Sequence, residues 1–111
     1  MFILIFCVLI FPVSSNKITY KFNICGVSML PLNKDNYCNL YDVNTVTSND
    51  IVQVNDIVCF NYDKRIYNKN TRYICHRVIS IDNDLICTKG DNNYYKDKCI
   101  NKKYVALKVL I

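Results

Sequence analysis

The chain contains a single histidine, His76, and this restricts the choice of a general base. A hydrolase with a serine nucleophile needs a base that takes up the serine proton, and an acid that orients the base. Ser28, two residues after Gly26, is the serine of interest. Taken singly, a histidine in an apolar run more often packs in a core, and a serine beside a glycine more often forms a turn. The residues around Ser28 and His76 are therefore needed to distinguish a catalytic role from a structural one.

Four short motifs carry the two residues and follow one another along the chain. They are Gly26–Pro31 (GVSMLP), Asn55–Phe60 (NDIVCF), Ile74–Ile79 (ICHRVI) and Thr88–Asn93 (TKGDNN). In the same order they resemble the Ser-Met-x-Pro, Gly-Asp-Ile-Val-x-Phe, His-Arg-Val and Thr-Lys-Gly-Asp-Asn-Asn boxes of the signal peptidase I family. The resemblance covers residues 18–111, and four boxes in order are far more specific than any one of them.

The resemblance implies a role for each polar residue. Ser28 takes the place of the nucleophile, and His76 stands where bacterial-type members have a lysine base. A histidine there is typical of the endoplasmic-reticulum and archaeal branch. The acid of that branch lies six residues beyond the aspartate of the Gly-Asp pair. That aspartate is Asp91 in this chain, so the implied acid is Asp97. Asp91 remains an alternative orienting acid, and Asp97 is favoured.

The implied activity is a serine endopeptidase that removes N-terminal signal peptides from secretory and membrane precursors. Because the family cuts after small residues, shallow pockets lined by Val27, Met29 and Leu30 are expected. An extended substrate could pair with the strand predicted at 18–24. Precursor proteins, a membrane and accessory subunits are the implied partners. The catalytic domain is expected on the lumenal or extracytoplasmic side of the membrane, that of the endoplasmic reticulum if the protein is eukaryotic. No cofactor or metal is implied.

The sequence departs from the family pattern at several points. Asn55 and Leu107 stand where the family tends to have glycine, and the second Gly-Asp element after the Ser-Met-x-Pro box is missing. A maturation protease related to the repressor proteases is disfavoured, because those use a lysine base. A catalytically degenerate homologue, or a small secreted disulfide-stabilised binding protein, remains the alternative.

The cysteines leave two interpretations open. Apart from Cys7, the chain has an even set of six: Cys25, Cys38, Cys59, Cys75, Cys87 and Cys99. They suit a disulfide framework in an oxidising compartment. Those inside apolar runs equally suit free thiols that pack as small hydrophobes. Zinc is disfavoured, since no Cys-x-x-Cys pair occurs and the chain has one histidine.

With 111 residues, the chain has room for one compact domain and a short extra segment. Residues 1–15 form that segment, predicted as a short hydrophobic helix that acts as a membrane anchor or a signal segment. Its apolar run Phe2–Val13 would span about 18 Å as a helix, short of the roughly 30 Å hydrocarbon core. Residues 17–111 form the predicted catalytic domain.

The pattern of residues 17–111 predicts a mostly β domain, a small antiparallel barrel or folded sheet. The alternation at 17–24 indicates a first strand, residues 33–49 an irregular connection, and Asp82-Asn83-Asp84 the turn of a hairpin. Lys98–Lys103 could hold a turn of helix. Further strands are predicted at Ile51–Val54, Ile57–Tyr62, Tyr73–Ile81, Leu85–Thr88 and Tyr104–Ile111.

The net charge of +5 raises nucleic acid and anionic membranes as partners. The basic residues are scattered, except for a group near the end of the sequence: Lys96, Lys98, Lys102, Lys103 and Lys108. No nucleic-acid-binding signature accompanies them. The charge therefore indicates a solvated basic face with some attraction to a membrane surface, and no nucleic acid is expected.

Overall fold

The computed structural model describes residues 17–26, 28–32, 38–61 and 73–111. This part of the chain is mostly β, as predicted, and its one short helix is a single 3-10 turn, Lys102–Tyr104. The strands are β1 (Tyr20–Cys25), β2 (Cys38–Thr45), β3 (Ile57–Asn61), β4 (Tyr73–Asp82), β5 (Leu85–Lys89), β6 (Ile100–Asn101) and β7 (Val105–Leu110).

The strands form one antiparallel sheet in the order β1-β2-β7-β3-β4-β5-β6. The Phe22 ring of β1 lies edge-to-face with the Tyr73 ring of β4, at 6.0 Å between centroids. Since β1 and β4 are not neighbours in the sheet order, this contact shows that the sheet curls. It does not close: within the described residues β1 pairs with β2 alone, and β6 pairs only with Leu85 and Ile86. Of the two predicted forms, the folded sheet is therefore correct and the closed barrel is wrong, since the two-residue β6 is too short to continue the ladder.

Apolar side chains cover both faces of the central strand β3. Ile57 and Cys59 belong to one buried cluster, and Val58 and Phe60 belong to a second one. Successive residues of a strand project to opposite faces, so the two clusters lie on the two sides of the sheet. Burial of both faces explains why β3 is a continuous apolar run and not an alternating one.

The observed strands match most of the predicted ones. The first, third, fourth, fifth and last strands occur close to their predicted ranges, and the hairpin turn contains Asn83 with a φ of 56°. Two predictions are wrong. The stretch 33–49, which the sequence predicts to be irregular, contains β2, and Ile51–Val54 is not a strand. Instead of continuing as a strand, the chain turns: the Asp56 carboxylate accepts a hydrogen bond from the Gln53 amide at 2.8 Å, and Asn55 has a φ of 83°.

The helical turn predicted within Lys98–Lys103 is present in part. The 3-10 turn begins at Lys102, and the Asn101 side chain caps it by accepting a hydrogen bond from the Lys103 amide at 2.9 Å. The hydrophobic helix and the anchor or signal segment predicted at residues 1–15 lie outside the described residues. Within the described ranges, no helix is long and apolar enough to cross a membrane.

Three disulfides join the six cysteines beyond Cys7, which settles the open interpretation in favour of a framework. Two of them link residues that face each other across paired strands, Cys25 with Cys38 on β1 and β2 and Cys59 with Cys75 on β3 and β4. The third links Cys87 of β5 to Cys99. The first two therefore fix strand registers, and the third ties the irregular segment before β6 to β5.

Candidate active site

The nucleophile candidate lies in a turn directly after β1. Gly26 has a φ of 101°, a left-handed conformation that residues with a side chain rarely adopt. Ser28 begins the turn 28–32, and the next residue, Met29, is 3% exposed and packs in the core cluster of β1 and β3. The Cys25–Cys38 disulfide joins the two strands on either side of this segment. Ser28 is thus held by a buried neighbour and a covalent link, while it remains only half-buried itself.

The base candidate, His76, is presented by β4. Its backbone pairs with Val58 of the central strand, and the residue is 6% exposed. The imidazole Nε2 lies 3.0 Å from the Ser28 Oγ. This distance is within hydrogen-bond range, so β4 and the turn after β1 bring the two residues together.

The second ring nitrogen of His76 faces Asp97. The Nδ1–Oδ2 distance is 2.5 Å, and the two side chains are only 8% and 15% exposed. Oδ2 of Asp97 also accepts a hydrogen bond from the Thr88 hydroxyl at 2.7 Å. The backbone amide of Asp97 donates to the Thr88 carbonyl at 2.8 Å. Burial raises the pKa of the Asp97 carboxyl, but the hydrogen bonds from His76 and Thr88 outweigh it and leave the pKa below its usual value.

The charge of Asp97 determines which nitrogen of His76 carries the proton. An ionised carboxylate only accepts hydrogen bonds, so Nδ1 of the neutral imidazole donates to Asp97 and Nε2 is left with a free lone pair. That lone pair points at the Ser28 hydroxyl, 3.0 Å away. Such an arrangement can take up a serine proton and stabilise the imidazolium that results.

Asp91, the alternative acid, is bound elsewhere. Arg77 grips its carboxylate with two hydrogen bonds, Nε to Oδ1 and Nη2 to Oδ2, each 2.8 Å long. The third contact of the guanidinium is Nη1 to the Asn55 carbonyl at 3.0 Å. These hydrogen bonds from Arg77 hold the pKa of the Asp91 carboxyl below its usual value. Asp97 is thus the carboxylate hydrogen-bonded to His76, and Asp91 is the one paired with Arg77.

The segment after β5 packs directly on the nucleophile turn. The Asn92 amide donates to the Ser28 carbonyl at 2.7 Å, and the Asp91 amide lies 3.3 Å from the Met29 sulfur. Gly90 is buried there, and a Cβ on it would come within 2.8 Å of the Ser28 carbonyl oxygen. The first and fourth motifs of the sequence therefore meet through backbone contacts, and these contacts explain why glycine is needed at position 90.

An open groove of about 540 Å³ leads to the serine and the histidine. Two strands form its walls, with Phe22–Cys25 of β1 on one side and Tyr73–His76 of β4 on the other, while Asn93 completes the described lining. In the described ladder β5 pairs with β4 only from Arg77 onward, so Tyr73–His76 are paired on the β3 side alone. The groove is thus bordered by two strand edges.

Of the three residues predicted to contact substrate, the two that the structure describes do not line this groove. Val27 lies outside the described residues. Met29 is in the core, and the half-buried Leu30 is not part of the described lining. The sequence prediction missed the aromatic wall formed by Phe22 and Tyr73. The alternation of β1 indicated the face that carries Phe22, but only the curl of the sheet brings that face to Tyr73.

Comparisons with known proteins identify no relative. No family model, no curated protein and no solved structure matches the chain. Within the described ranges, no group of three or more His, Cys, Asp or Glu side chains could hold a metal ion.

Proposed function

We propose that the protein is a serine endopeptidase of the signal peptidase I type, in the branch that uses a histidine base. The observation that carries the proposal is the continuous hydrogen-bonded chain from Ser28 Oγ through His76 to Asp97, with steps of 3.0 and 2.5 Å. These three residues come from separate parts of the sequence. A packing histidine has no need of both a serine hydroxyl and a buried carboxylate in line with its two nitrogens.

The reaction follows from the direction of these hydrogen bonds. As the Ser28 oxygen attacks the scissile carbonyl carbon, its proton passes to Nε2 of His76. The Asp97 carboxylate stabilises the imidazolium at Nδ1. His76 then gives the proton to the leaving amine, and an acyl-serine remains. Water, deprotonated by the same nitrogen, hydrolyses the ester and regenerates Ser28.

The tetrahedral intermediate needs hydrogen-bond donors for its oxyanion. The backbone N–H of Ser28 is the natural donor, and one such donor is typically worth roughly 3–4 kcal/mol of transition-state stabilisation. The contact between Asn92 and the Ser28 carbonyl supports this role, because it fixes the turn from its other side and so limits rotation of the peptide units.

The groove suits an extended peptide substrate. A chain that lies between β1 and the Tyr73–His76 half of β4 can form main-chain hydrogen bonds with a strand edge, which gives affinity without reading side chains. Phe22 and Tyr73 narrow the groove on the walls. Narrow apolar walls favour small side chains just before the scissile bond, as expected for a signal-peptide substrate.

Three disulfides support a catalytic domain on the lumenal or extracytoplasmic side, because such links persist in oxidising compartments. The apolar run Phe2–Val13 would hold the domain at the membrane where its precursor substrates emerge. Accessory subunits would add further membrane contacts. All of these are parts of the same proposal and depend on the protease activity.

A disulfide-stabilised binding protein without activity is the second candidate. The disulfide framework suits it, since small secreted domains often depend on such links. The framework suits an extracytoplasmic enzyme equally well. A binding protein, however, gains nothing from a largely buried aspartate and histidine aligned on a serine.

The decisive experiment is cleavage of a precursor peptide with alanine at the first and third positions before the bond, in detergent micelles. Wild type, Ser28→Ala and His76→Ala are compared, with Ser80→Ala, an exposed serine on the same strand as His76, as the matched control. We expect Ser28→Ala and His76→Ala to lose at least about 10³-fold in kcat and Ser80→Ala to match wild type. Equal turnover in all four proteins, or none in wild type, would favour the binding protein.

A further inference from the structure

A buried hydroxyl lies behind the acid of the site. Thr88, on β5, is 1% exposed, and its Oγ1 donates to Oδ2 of Asp97 at 2.7 Å. This oxygen is the one that faces Nδ1 of His76 at 2.5 Å. The row of groups that begins at Ser28 therefore continues beyond Asp97 and ends at Thr88.

Thr88 holds Asp97 at two points. In addition to the side-chain hydrogen bond, the Thr88 carbonyl accepts from the Asp97 amide at 2.8 Å. Asp97 itself lies in an irregular stretch between β5 and β6, with no strand ladder to fix it. A carboxylate on such a stretch could rotate about its side-chain bonds, so the contacts with a regular strand are what define its position.

The choice of threonine at position 88 has a physical reason. A β-branched side chain has few allowed rotamers and favours a strand, so its hydroxyl is presented in one direction. The strand position is fixed as well, because Thr88 pairs with Val78 on β4, two residues beyond His76. β4 and β5 thus set the distance between the base and the group that holds the acid.

We propose that Thr88 is a positioning residue of the protease, which keeps the Asp97 carboxylate turned toward His76. The inference rests on the proposed function, but it concerns a residue that touches neither the substrate nor the reacting atoms. Its hydrogen bond also favours the ionised carboxylate, in agreement with the lowered pKa of Asp97.

The kinetic test compares wild type, Thr88→Val and Thr88→Ser on the alanine-containing precursor peptide. Thr88→Val removes the hydroxyl and keeps a β-branched shape, and we expect kcat to fall about 10- to 100-fold with KM within about twofold, as for loss of a hydrogen bond to a charged group. Thr88→Ser restores the hydroxyl and should recover most of kcat. Ile86→Val, which trims another fully buried side chain of β5, is the control and should keep wild-type kcat.

A double-mutant cycle separates positioning from general damage. If Thr88 acts through Asp97, then Thr88→Val has no further effect on kcat in an Asp97→Ala background. A purely structural role would lower kcat by the same factor in both backgrounds. Wild-type kcat in Thr88→Val, or equal effects in both backgrounds, would overturn the proposal.

A spectroscopic test does not depend on activity. Since His76 is the single histidine, its ring signals in ¹⁵N-labelled protein need no assignment. We expect the Nδ1 proton to be protected from solvent exchange in wild type and Thr88→Ser, and to exchange faster in Thr88→Val. Unchanged protection in Thr88→Val would overturn the positioning role. Failure of the proposed function would instead appear as absent cleavage by wild type, with these signals intact.

Discussion

The amide of Asn92 donates a hydrogen bond to the carbonyl oxygen of Ser28 at 2.7 Å. The contact joins two segments that are far apart in the sequence, the turn that carries the proposed nucleophile and the segment that follows β5. That segment leads to Asp97, whose amide is bonded to Thr88. The proposed nucleophile and the proposed acid are therefore positioned by one continuous stretch of backbone as well as by His76.

The first prediction concerns Gly90, at the start of this stretch. A Cβ at position 90 would lie 2.8 Å from the Ser28 carbonyl oxygen and 2.6 Å from the Asn93 side-chain nitrogen. Both distances are too short, so in Gly90→Ala the nucleophile turn must move. We expect kcat to fall at least about tenfold and stability to fall by about 1–3 kcal/mol, measured by peptide cleavage and urea unfolding.

The double variant Gly90→Ala/Asn93→Ala shows which contact matters. It removes the clash with the flexible side chain, and the clash with the Ser28 backbone remains. We therefore expect stability to recover in part and kcat to stay low. Full recovery of kcat would mean that the nucleophile turn does not depend on the glycine.

The second prediction distinguishes the two aspartates. Asp97→Asn leaves the shape of the site and removes the charge that orients His76, so kcat should fall by about 10³- to 10⁴-fold, as in other triads. Asp91→Asn weakens only the pair with Arg77, whose side chains are 31% and 24% exposed. Its main effect should be a loss of about 1 kcal/mol in stability.

Both variants are measured by peptide cleavage and by urea unfolding. Arg77→Lys is the companion of Asp91→Asn, because lysine cannot form the paired hydrogen bonds of a guanidinium. Arg77→Lys should lose at least as much stability as Asp91→Asn, because it also removes the guanidinium contact with the Asn55 carbonyl. A larger loss of kcat in Asp91→Asn than in Asp97→Asn would assign the acid to Asp91 and contradict the geometry.

The sequence could narrow the acid to two residues, and the reason it could not choose is physical. Spacing along the chain does not say which way a carboxylate points in an irregular segment. Strand alternation contains part of the answer, because Arg77 follows His76 directly and its side chain projects to the opposite face of β4. An aspartate bound to Arg77 is therefore on the wrong face to orient His76. The sequence does not show which aspartate binds Arg77, so this rule excludes Asp91 only once the structure shows the Arg77–Asp91 pair.

Some strands could be predicted from the local sequence pattern, and one could not. Strand β1 and the β4–β5 hairpin could be predicted because they combine alternation with turn residues. Strand β2 was missed because most of its residues are polar or half-exposed, and Val43 is its only buried residue. Its place in the sheet depends on pairing with β1 and β7, which are distant in sequence. Such non-local pairing leaves little trace in a local pattern.

The third prediction concerns the cysteines. Six of the seven are in disulfides, and the seventh, Cys7, lies outside the described residues. Thiol titration of the denatured chain without reductant should therefore find no more than one free thiol, and peptide mapping should find Cys25 linked to Cys38. Six or seven free thiols in protein secreted through an oxidising compartment would contradict the disulfide framework.

Loss of the Cys25–Cys38 link should affect activity as well as stability. The two cysteines flank the segment that carries Ser28, so in the Cys25→Ala/Cys38→Ala variant this segment is held only by non-covalent contacts, among them the packing of Met29 and the hydrogen bond from Asn92. We expect a loss of about 2–4 kcal/mol in stability and a fall in kcat at temperatures well below Tm. A variant with lower stability but wild-type kcat would show that these non-covalent contacts are sufficient to position Ser28.

The last prediction is an acid-dependent loss of stability at Asp50. The hydrogen bond from the Lys17 ammonium, followed by that from the Thr47 amide, lowers the pKa of Asp50 from 3.8 to about 2. Because the folded-state pKa is below the unfolded one, the carboxylate stabilises the fold fully above about pH 4. The contribution is lost as pH falls toward 2, where the folded state takes up its proton.

The measurement is the urea midpoint of wild type and Asp50→Asn between pH 6 and pH 2. We expect the variant to be less stable at pH 6 and the difference to disappear near pH 2. The gap at pH 6 should narrow at high salt, since the pair with Lys17 is partly exposed. Asp84→Asn, at the exposed β4–β5 turn, is the control for loss of a surface charge. A constant difference between wild type and Asp50→Asn at every pH would mean that the pair with Lys17 does not stabilise the fold.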